Sequence, residues 1–256
     1  MPTALQNATA LYMDGIRDGN PREAITRCTG DRYTQHSTGV ADGREGFIAF
    51  FEPFLARNPV RDIRVVRGWQ DGRHVFLQAA QSLNGGESKW LTTDFFDSDE
   101  DGLIIEHWDV IAALGGTSPD GHTQIDGSHE IVDLDRTEEN KALVQRMIRT
   151  CLFPGERGAR LDEFISAESF VQHSLKAPDG LEPFRAVVQA PERSLNYEEI
   201  VLCVGSGNFV STLCKTDLDG IKYAQVDIFR IADGLIVEHW DNVEPVPEHD
   251  VNGGKF

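Results

Sequence analysis

An internal repeat constrains this chain of 256 residues more than any other feature. Ile104 to Val110 reads IIEHWDV, and Ile236 to Asn242 reads IVEHWDN, each directly after a Gly-Leu pair. Upstream, YTQHSTGVADGREGF (Tyr33 to Phe47) aligns without a gap with FVQHSLKAPDGLEPF (Phe170 to Phe184). Because self-similarity at a long spacing indicates repeated structural units, the sequence predicts two domains of one fold.

The predicted domain boundaries follow from the composition between the repeats. The stretch GGTSPDGHTQIDGSHEIVDLDRTEEN is rich in Gly, Asp and Ser and lacks apolar periodicity, which is typical of a linker. We therefore expect the first domain in residues 1–114, a linker in 115–136, the second domain in 137–248 and a tail in 249–256.

Both halves show the same order of predicted elements. An amphipathic helix is followed by a short helix, a short strand that ends in Gln-His-Ser, a third helix after Asp-Gly, and four strands. The helices are predicted at Ala8–Gly19, Pro21–Cys28 and Arg44–Asn58, and at Glu138–Phe153, Ala159–Ile165 and Glu182–Arg193. This pattern predicts an α+β fold in which about three helices pack on one curved antiparallel sheet in each domain.

One face of the strand KWLTTDFF combines aromatic and polar side chains, because residues two apart share a face. This face carries Trp90, Thr92, Asp94 and Phe96, and its counterpart carries Tyr223, Gln225, Asp227 and Phe229. Such a mixture is expected of a ligand cleft. The opposite, mostly aliphatic face includes Leu91 and Phe95, and we expect helices or the other domain to cover it.

The Glu-His-Trp-Asp strand places His107 and Asp109 on one face and Glu106 and Trp108 on the other. A His and an Asp two residues apart can hydrogen-bond and fix a tautomer, as acid–base chemistry requires. A packed, purely structural pair is the alternative. His36, in Gln-His-Ser, adds a third group from another strand, which suits either an acid–base cleft or a metal site. The spacing contains no zinc signature, so no metal is predicted.

The charge balance excludes several partners. Lys+Arg 24 against Asp+Glu 42 gives a net charge of -18, which repels nucleic acid and anionic membrane surfaces. The first residues contain no basic stretch followed by an apolar run, and no segment has the roughly 20 apolar residues of a membrane span. We expect a cytoplasmic protein without nucleic-acid or membrane partners.

The acidic stretch DSDEDG, Asp97 to Gly102, begins like a calcium-binding loop. Such a loop requires a carboxylate at its twelfth position, where this chain has Trp108. The stretch is therefore predicted to be an acidic hairpin turn, with weak calcium binding as the alternative.

The motifs Gln-His, Asp-Gly-x-Glu-x-Phe and Asp-Gly-Leu-Ile-Val-Glu-His-Trp-Asp resemble the SnoaL-like branch of the nuclear transport factor 2-like superfamily. The second half, with DIFRIADGLIVEHWDNVEPVPE, is the closer match. The resemblance implies cone-shaped domains with a mostly apolar pocket, and a cofactor-free reaction next to a carbonyl, as in aldol cyclases, isomerases or dehydratases. A non-catalytic small-molecule binding protein with two pockets is the alternative, because one scaffold supports many functions.

The resemblance also implies site residues. The first pocket would take its base from Asp94, His107 and Asp109, with His36 as acid or orienting donor, and these alternatives stay open. The second would use Asp227, His239, Asp241 and His173. The ligand-binding residues would be Trp90, Thr92, Phe96, Trp108, Tyr223, Gln225, Phe229 and Trp240.

The expected partner is a small apolar or carbonyl-containing molecule. Single domains of this superfamily commonly dimerise through their sheets. We therefore expect an intrachain pseudo-dimer of the two domains, which leaves the chain monomeric.

Overall fold

A computed structural model describes residues 1–155, 157–190 and 195–256. These residues form two compact units, the first from Met1–Leu114 together with Val246–Phe256, and the second from Gly115–Pro245. The first unit is therefore discontinuous in sequence. The predicted linker, 115–136, is part of the second unit, and the predicted tail, 249–256, is part of the first. Both segments are fixed to their units by hydrogen bonds described below.

The first unit consists of four helical segments and a five-stranded sheet. The helical segments are α1 (Ala4–Ala10), a π-helical segment (Leu11–Arg17), α2 (Pro21–Cys28) and α3 (Gly43–Arg57). The strands are β1 (Thr29–Gln35), β2 (Arg61–Asp71), β3 (His74–Leu83), β4 (Ser88–Ser98) and β5 (Ile104–Ala113), in the sheet order β1-β5-β4-β3-β2.

The second unit has the same strand order. Its helices are α4 (Thr137–Cys151) and α5 (Leu181–Gln189), with 3₁₀ turns at Leu134–Arg136 and Leu161–Glu163. The strands are β6 (Val171–Gln172), β7 (Asn196–Ser206), β8 (Phe209–Leu218), β9 (Ile221–Ala232) and β10 (Leu235–Pro245), in the order β6-β10-β9-β8-β7. The predicted α+β class with two tandem domains of one fold is confirmed.

Two details of the prediction need correction. The sheets are mixed rather than antiparallel, because β1 pairs with β5, and β6 with β10, in parallel. Parallel pairing requires a crossover connection, and α3 with the three strands after it supplies one. The helix predicted at Ala159–Ile165 is only a 3₁₀ turn. Arg160, directly before the turn, has a left-handed backbone (φ +57°), which a right-handed helix cannot include.

The remaining helices lie close to their predicted positions. The π-helical segment occupies most of the range predicted at Ala8–Gly19, and its bond from Asp18 N to Met13 O (2.9 Å) defines the wider turn. Of the helix predicted at Glu182–Arg193, residues 191–193 lie outside the described residues. No helix within the described part of the chain has the length and apolar character to cross a membrane.

The acidic stretch forms the turn between β4 and β5. Asp99 Oδ1 accepts hydrogen bonds from the backbone N–H groups of Asp101 (3.0 Å) and Leu103 (2.9 Å). Asp97 pairs with the guanidinium of Arg73. The carboxylate of Asp99 therefore acts within the hairpin, as the acidic-turn interpretation expects, and that of Asp97 pairs with the turn between β2 and β3.

Helix α3 begins at a tight contact and carries an aromatic stripe. A side chain at Gly46 would lie 1.9 Å from the carbonyl oxygen of Ala41, so only glycine allows the helix to start this close to the preceding loop. Four phenylalanines follow at helical spacing, at Phe47, Phe50, Phe51 and Phe54. Because positions i, i+3, i+4 and i+7 share one face, all four rings point the same way.

Candidate active site

The two repeated motifs meet on adjacent strands. In the first unit Gln35 is paired with His107 across β1 and β5, and in the second unit Gln172 is paired with His239 across β6 and β10. The register brings Gln-His-Ser alongside Glu-His-Trp-Asp in both units. The repetition of these residues therefore reflects one network that is built twice.

His36 and His173 lie on the Trp side of this network. His36 stacks on Trp108 with ring centroids 5.1 Å apart, and its Nε2 lies 3.1 Å from Glu106 Oε1. His173 stacks in the same way on Trp240, at 4.5 Å. His36 Nδ1 donates to the backbone carbonyl of Gly254 (2.9 Å), and His173 Nδ1 donates to that of Thr123 (3.0 Å).

The face of β5 that carries His107 and Asp109 lines a cavity of about 260 Å³ in the first unit. Aromatic rings dominate its wall, including the four phenylalanines of α3, of which Phe50, Phe51 and Phe54 are only partly buried. The lining side chains are Leu11, Tyr12, Ile16, Tyr33, Gln35, Ser37, Thr38, Val40, Phe47, Phe50, Phe51, Phe54, Gln81, Trp90, Phe96, His107, Asp109 and Ile111. An apolar cavity with a few polar groups is suited to a small, largely apolar molecule.

His107 shares a proton with Asp94 in this wall. Gln35 Oε1 already accepts the backbone N–H of Ser37 (3.0 Å), so His107 Nδ1, 2.8 Å away, donates to the same oxygen. His107 Nε2 then faces Asp94 Oδ1 at 2.9 Å, with one proton between them. Burial raises the pKa of Asp94 above its ordinary value, against the opposing effect of His107.

Asp109 differs from Asp94 in having a lysine partner. Lys255 Nζ lies 3.0 Å from Asp109 Oδ1, and both side chains are buried. Burial alone would raise the pKa of Asp109, but the charges of Lys255 and His107 outweigh it and lower that pKa below its ordinary value. Asp109 is therefore an anion in the cavity wall at neutral pH.

Two tyrosines add hydroxyl groups to the cavity wall. Tyr12, from the π-helical segment, donates to Asp94 Oδ1 (2.8 Å) and lies 2.9 Å from Thr92 Oγ1. Tyr33 OH accepts a hydrogen bond from Gln35 Nε2 (3.1 Å), and no described residue accepts the hydrogen of its hydroxyl group. Tyr33 therefore has a donor available to a molecule in the cavity.

Sequence reasoning did not select Tyr12, Tyr33, Gln35 or Lys255. Tyr33 and Gln35 lie in the repeated stretch, and their spacing of two on a short strand was a usable signal. Tyr12 is aimed at Asp94 by the π-helical segment, which periodicity does not reveal. Lys255 lies in the predicted tail, far from β5 in sequence, so no local pattern connects it to Asp109.

The corresponding cavity of the second unit is smaller, at about 70 Å³. Its side chains are Leu152, Gln172, Ser174, Lys176, Ala177, Phe184, Val187, Val188, Leu195, Tyr197, Gln225, Asp227, Phe229, His239 and Asp241. Asp227 is fully engaged: Tyr197 donates to Oδ2 (2.8 Å), Gln225 donates to Oδ1 (2.9 Å), and His239 Nε2 lies 3.0 Å from Oδ1.

Phe170 occupies the position of Tyr33 in the second unit, two residues before the strand glutamine. It is buried and has no hydroxyl group. The side-chain nitrogen Nε2 of Gln172, whose counterpart in Gln35 bonds to Tyr33, is buried without a hydrogen-bond partner. The second unit thus lacks the hydroxyl donor that Tyr33 supplies, and its unpartnered donor is the amide of Gln172.

The structure brings only part of the predicted site together. In the first unit Trp90, Phe96, His107 and Asp109 line the cavity, and Thr92 and Asp94 lie behind it, bonded to Tyr12. In the second unit Gln225, Asp227, Phe229, His239 and Asp241 line the cavity. Four predicted residues do not line either cavity because they belong to the stacked pairs on the other face of the last strand: His36, Trp108, His173 and Trp240. Tyr223, opposite Pro245 at the end of β9, is also absent from the lining.

A cluster formed by His122, Asp126 and His173 has possible ligand atoms within 4.8 Å of one another. The chemistry of His173 does not fit a metal. Its Nδ1 lies 3.0 Å from the carbonyl oxygen of Thr123, which only accepts, so Nδ1 carries a hydrogen and offers no lone pair. Asp126 Oδ1 lies 2.7 Å from the same nitrogen and also accepts its hydrogen. The absence of a metal cofactor stays a prediction.

Comparison with known families identifies residues 9–107, within the first unit, as a SnoaL-like domain. This confirms the resemblance for the first half. The second half is connected to it by the matching strand order and the repeated network. Among proteins with curated descriptions, none matches this chain in sequence.

Several solved structures are similar to one part of the chain. IdmH of Streptomyces antibioticus, whose provisional assignment is polyketide cyclase, is 18% identical over 43% of this chain and 92% of its own, with a TM-score of 0.37. An LEH-like epoxide hydrolase of M. tuberculosis is 16% identical over 43% of this chain and 82% of its own, with a TM-score of 0.36.

Proposed function

We propose that the first unit is a cofactor-free acid–base enzyme that acts next to a carbonyl group of a small apolar molecule. One observation carries the proposal: an anionic carboxylate, Asp109, and a free hydroxyl donor, Tyr33, lie in the wall of one aromatic cavity. Proton removal next to a carbonyl needs a base for the carbon and a donor for the oxygen that becomes negative. The SnoaL-like character of residues 9–107 supports the same class of chemistry.

Asp109 is the proposed base. Of the three candidates, Asp94 lies behind the cavity, and both ring nitrogens of His107 are engaged, with Gln35 and with Asp94. Asp109 lines the cavity and is ionised, so it can accept a proton without prior loss of one. Its lowered pKa also makes it a weak base, which restricts the substrate to acidic C–H groups beside a carbonyl.

The proposed reaction begins when Asp109 removes the proton from the carbon next to the carbonyl. The electron pair of the C–H bond forms a carbon–carbon double bond, and the carbonyl π electrons move to the oxygen. Tyr33 donates a hydrogen bond to that oxygen, and preorganised donors of this kind stabilise the developing charge. Return of the proton at another carbon gives isomerisation, and attack of the enolate on a second carbonyl gives aldol ring closure.

We propose that the second unit is not catalytic. Its cavity of about 70 Å³ holds only a few water molecules, and Phe170 replaces the donor Tyr33. This observation favours a binding or stabilising role for the second unit. The aldol cyclase, isomerase and dehydratase reactions remain alternatives for the first.

The test is proton exchange on 2-tetralone, a bicyclic aromatic ketone, followed by ¹H NMR in D₂O. We expect wild-type protein to exchange the protons next to the carbonyl faster than buffer does. Asp109→Asn should slow exchange by at least about 100-fold, the usual lower value for a general base. The matched variant Asp241→Asn, at the same position of the second unit, should retain the wild-type rate.

A control separates lost chemistry from lost folding. Asp109→Asn leaves Lys255 buried without its anion, so the double variant Asp109→Asn/Lys255→Met, which removes both charges, should be folded and equally slow. Exchange by the wild type at no more than the buffer rate would contradict the proposal, as would equal losses in Asp109→Asn and Asp241→Asn.

The proposed assembly is a monomer. Light scattering should give a mass near 28.5 kDa at micromolar concentration. A mass of twice that value would show that a second copy of the chain takes part.

A further inference from the structure

The segment 246–256 is fixed to the loop that follows β1 in the first unit. This loop includes Ser37, Thr38 and Val40, whose side chains line the cavity. The hydrogen bonds run from Asn252 Nδ2 to Ser37 O (2.7 Å), from Gly39 N to Asp250 Oδ1 (3.0 Å) and from His36 Nδ1 to Gly254 O (2.9 Å). The segment therefore supports the cavity wall.

Lys255 is the part of this segment that reaches the site. Only 3% of its surface is exposed, and its Nζ donates to Asp109 Oδ1 (3.0 Å) and to Thr38 Oγ1 (3.2 Å). A buried ammonium group is costly unless an anion compensates it. The two buried charges therefore depend on each other.

Five titratable groups influence or surround Asp109. They are Lys255 of the segment, His107 of the same strand, Asp94 of β4, Tyr12 of the π-helical segment and Tyr33 of β1. Lys255 is the strongest stabiliser of the anion, and Asp94 and the two tyrosines offer no positive charge. Removal of Lys255 leaves His107 and the hydroxyl group of Ser37 to oppose the effect of burial on the pKa of Asp109.

The second unit shows the arrangement without this lysine. His173 donates to Thr123 O as His36 donates to Gly254 O, and Gln124, which follows Thr123 as Lys255 follows Gly254, accepts the backbone N–H of Gly115 (3.0 Å). Asp241, the counterpart of Asp109, accepts a hydrogen bond from Ser174 Oγ (3.0 Å). Burial raises the pKa of Asp241, and the effects of His239 and of the more distant cation Lys176 do not outweigh it, so the direction is opposite to that of Asp109.

We propose that Lys255 is a positioning residue of the first unit, and that docking of segment 246–256 holds Asp109 as an anion in the cavity wall. This inference rests on the proposed function, in which Asp109 is the base. Lys255 does not touch the substrate in this scheme. It acts through Asp109, and Asp109 retains its charge only while the segment is docked.

The experiment measures the carboxyl group of Asp109 directly, by ¹³C NMR titration of full-length protein labelled at the aspartate side chains. Asp109→Asn identifies its signal. In Lys255→Met the midpoint of the Asp109 titration should rise by at least about one pH unit, and in Lys255→Arg, which keeps the charge, it should stay near the wild-type value. Lys215→Met, which removes a surface lysine paired with Glu199 (2.8 Å), should change nothing.

The pH profile of 2-tetralone exchange gives a second readout. In Lys255→Met its acidic limb should move to higher pH together with the Asp109 titration. Below both midpoints the exchange rate should fall about tenfold for every pH unit by which the Asp109 midpoint rises. Lys255→Gln, which introduces the residue type of Gln124 and keeps a polar contact, replaces Lys255→Met if the latter does not fold.

The outcomes separate this inference from the proposed function. An unchanged Asp109 titration in folded Lys255→Met or Lys255→Gln overturns the role of Lys255, whatever the exchange rates are. A raised titration midpoint without exchange by any form of the protein supports the role of Lys255 and overturns the proposed enzyme.

Discussion

The two units place the same motifs in the same register, yet their cavities differ in three respects. The first unit has a cavity of about 260 Å³ and the second one of about 70 Å³. Tyr33 offers a free hydroxyl donor where Phe170 has none, and Asp109 accepts a hydrogen bond from Lys255 whereas Asp241 accepts one from Ser174. The shared His–Asp network therefore defines the scaffold, and the residues around it decide which copy has the groups for chemistry.

The largest effect is expected when the hydroxyl group of Tyr33 is removed, which makes this position of the first unit the same as in the second. Tyr33→Phe removes the free donor and should slow 2-tetralone exchange by about 100- to 1000-fold, as loss of one oxyanion donor does. The fold should survive, because the second unit accommodates phenylalanine at this position. A rate within twofold of the wild type, measured by NMR at neutral pH, would remove Tyr33 from the mechanism.

The next prediction compares how Asp109 and Asp241, the final aspartates of the two motif copies, contribute to the free energy of unfolding. Asp109→Asn removes the carboxylate to which the buried Lys255 donates and should lower the free energy of unfolding by about 3–5 kcal/mol. Asp241→Asn should be neutral or stabilising at pH 7. Because the pKa of Asp241 is raised, the native state holds its proton longer than the unfolded chain, and that stability is lost as pH rises through the raised pKa.

Urea unfolding at pH 7 and pH 4 checks the direction in which the contribution of each aspartate to stability changes with pH. The lowered pKa of Asp109 gives stability that is present above the unfolded value of about 3.9 and is lost as pH falls through the folded value. Equal losses for the two asparagine variants at pH 7 would contradict the difference drawn between the units.

A smaller effect is expected at the glutamates of the motif. Glu238 is buried between His173 (2.9 Å) and Arg230 (2.6 Å), whereas Glu106 is partly exposed. Burial would raise the pKa of Glu238, but His173 and Arg230 outweigh it and lower that pKa. Glu238→Gln should therefore cost about 2 kcal/mol, and Glu106→Gln less than about 1 kcal/mol.

The contribution of Glu238 has a defined pH window. It is present above the unfolded value of about 4.3 and is lost as pH falls through the lowered folded value, so wild type and Glu238→Gln should converge in acid. Urea midpoints between pH 3 and pH 7 measure this. A difference that does not shrink in acid would assign the loss to packing rather than charge.

The smallest effect tests the unpartnered amide of the second unit. Phe170→Tyr places a hydroxyl group near Gln172 Nε2, and one satisfied buried donor should add about 1 kcal/mol to the free energy of unfolding. The reverse change, Tyr33→Phe, should cost a similar amount by leaving Gln35 Nε2 unsatisfied. A destabilised Phe170→Tyr would show that the space beside Gln172 is too small for the oxygen.

Sequence reasoning reached the fold and the residues that share a face of one strand, but it left open which face of the last strand points inward. Alternation placed Trp90 with Phe96 on one strand and His107 with Asp109 on the next, because side-chain direction along a strand is fixed by its geometry. The choice of His36 as a third group of the site rested on its place in Gln-His-Ser and on the family resemblance. It ignored the parallel register that turns His36 toward Trp108, and long-range pairing of this kind leaves no local pattern.

The same limit explains the missing lysine. The contact between Lys255 and Asp109 joins residues 146 positions apart. A Gly-rich, polar stretch such as VNGGKF has no apolar periodicity from which docking can be predicted. Its burial follows only from the fold of the first unit, which the composition of the segment does not encode.

The discontinuity of the first unit imposes an order on protein synthesis. Residues 1–114 leave the ribosome before the segment that completes them, and the whole of Gly115–Pro245 is translated in between. At roughly 5–20 residues per second, this delay is on the order of ten seconds. During it the nascent first unit lacks Lys255, so Asp109 is enclosed without its cation and the loop after β1 is unsupported. The copy with the chemical groups is thus the first to be translated and the last to be finished.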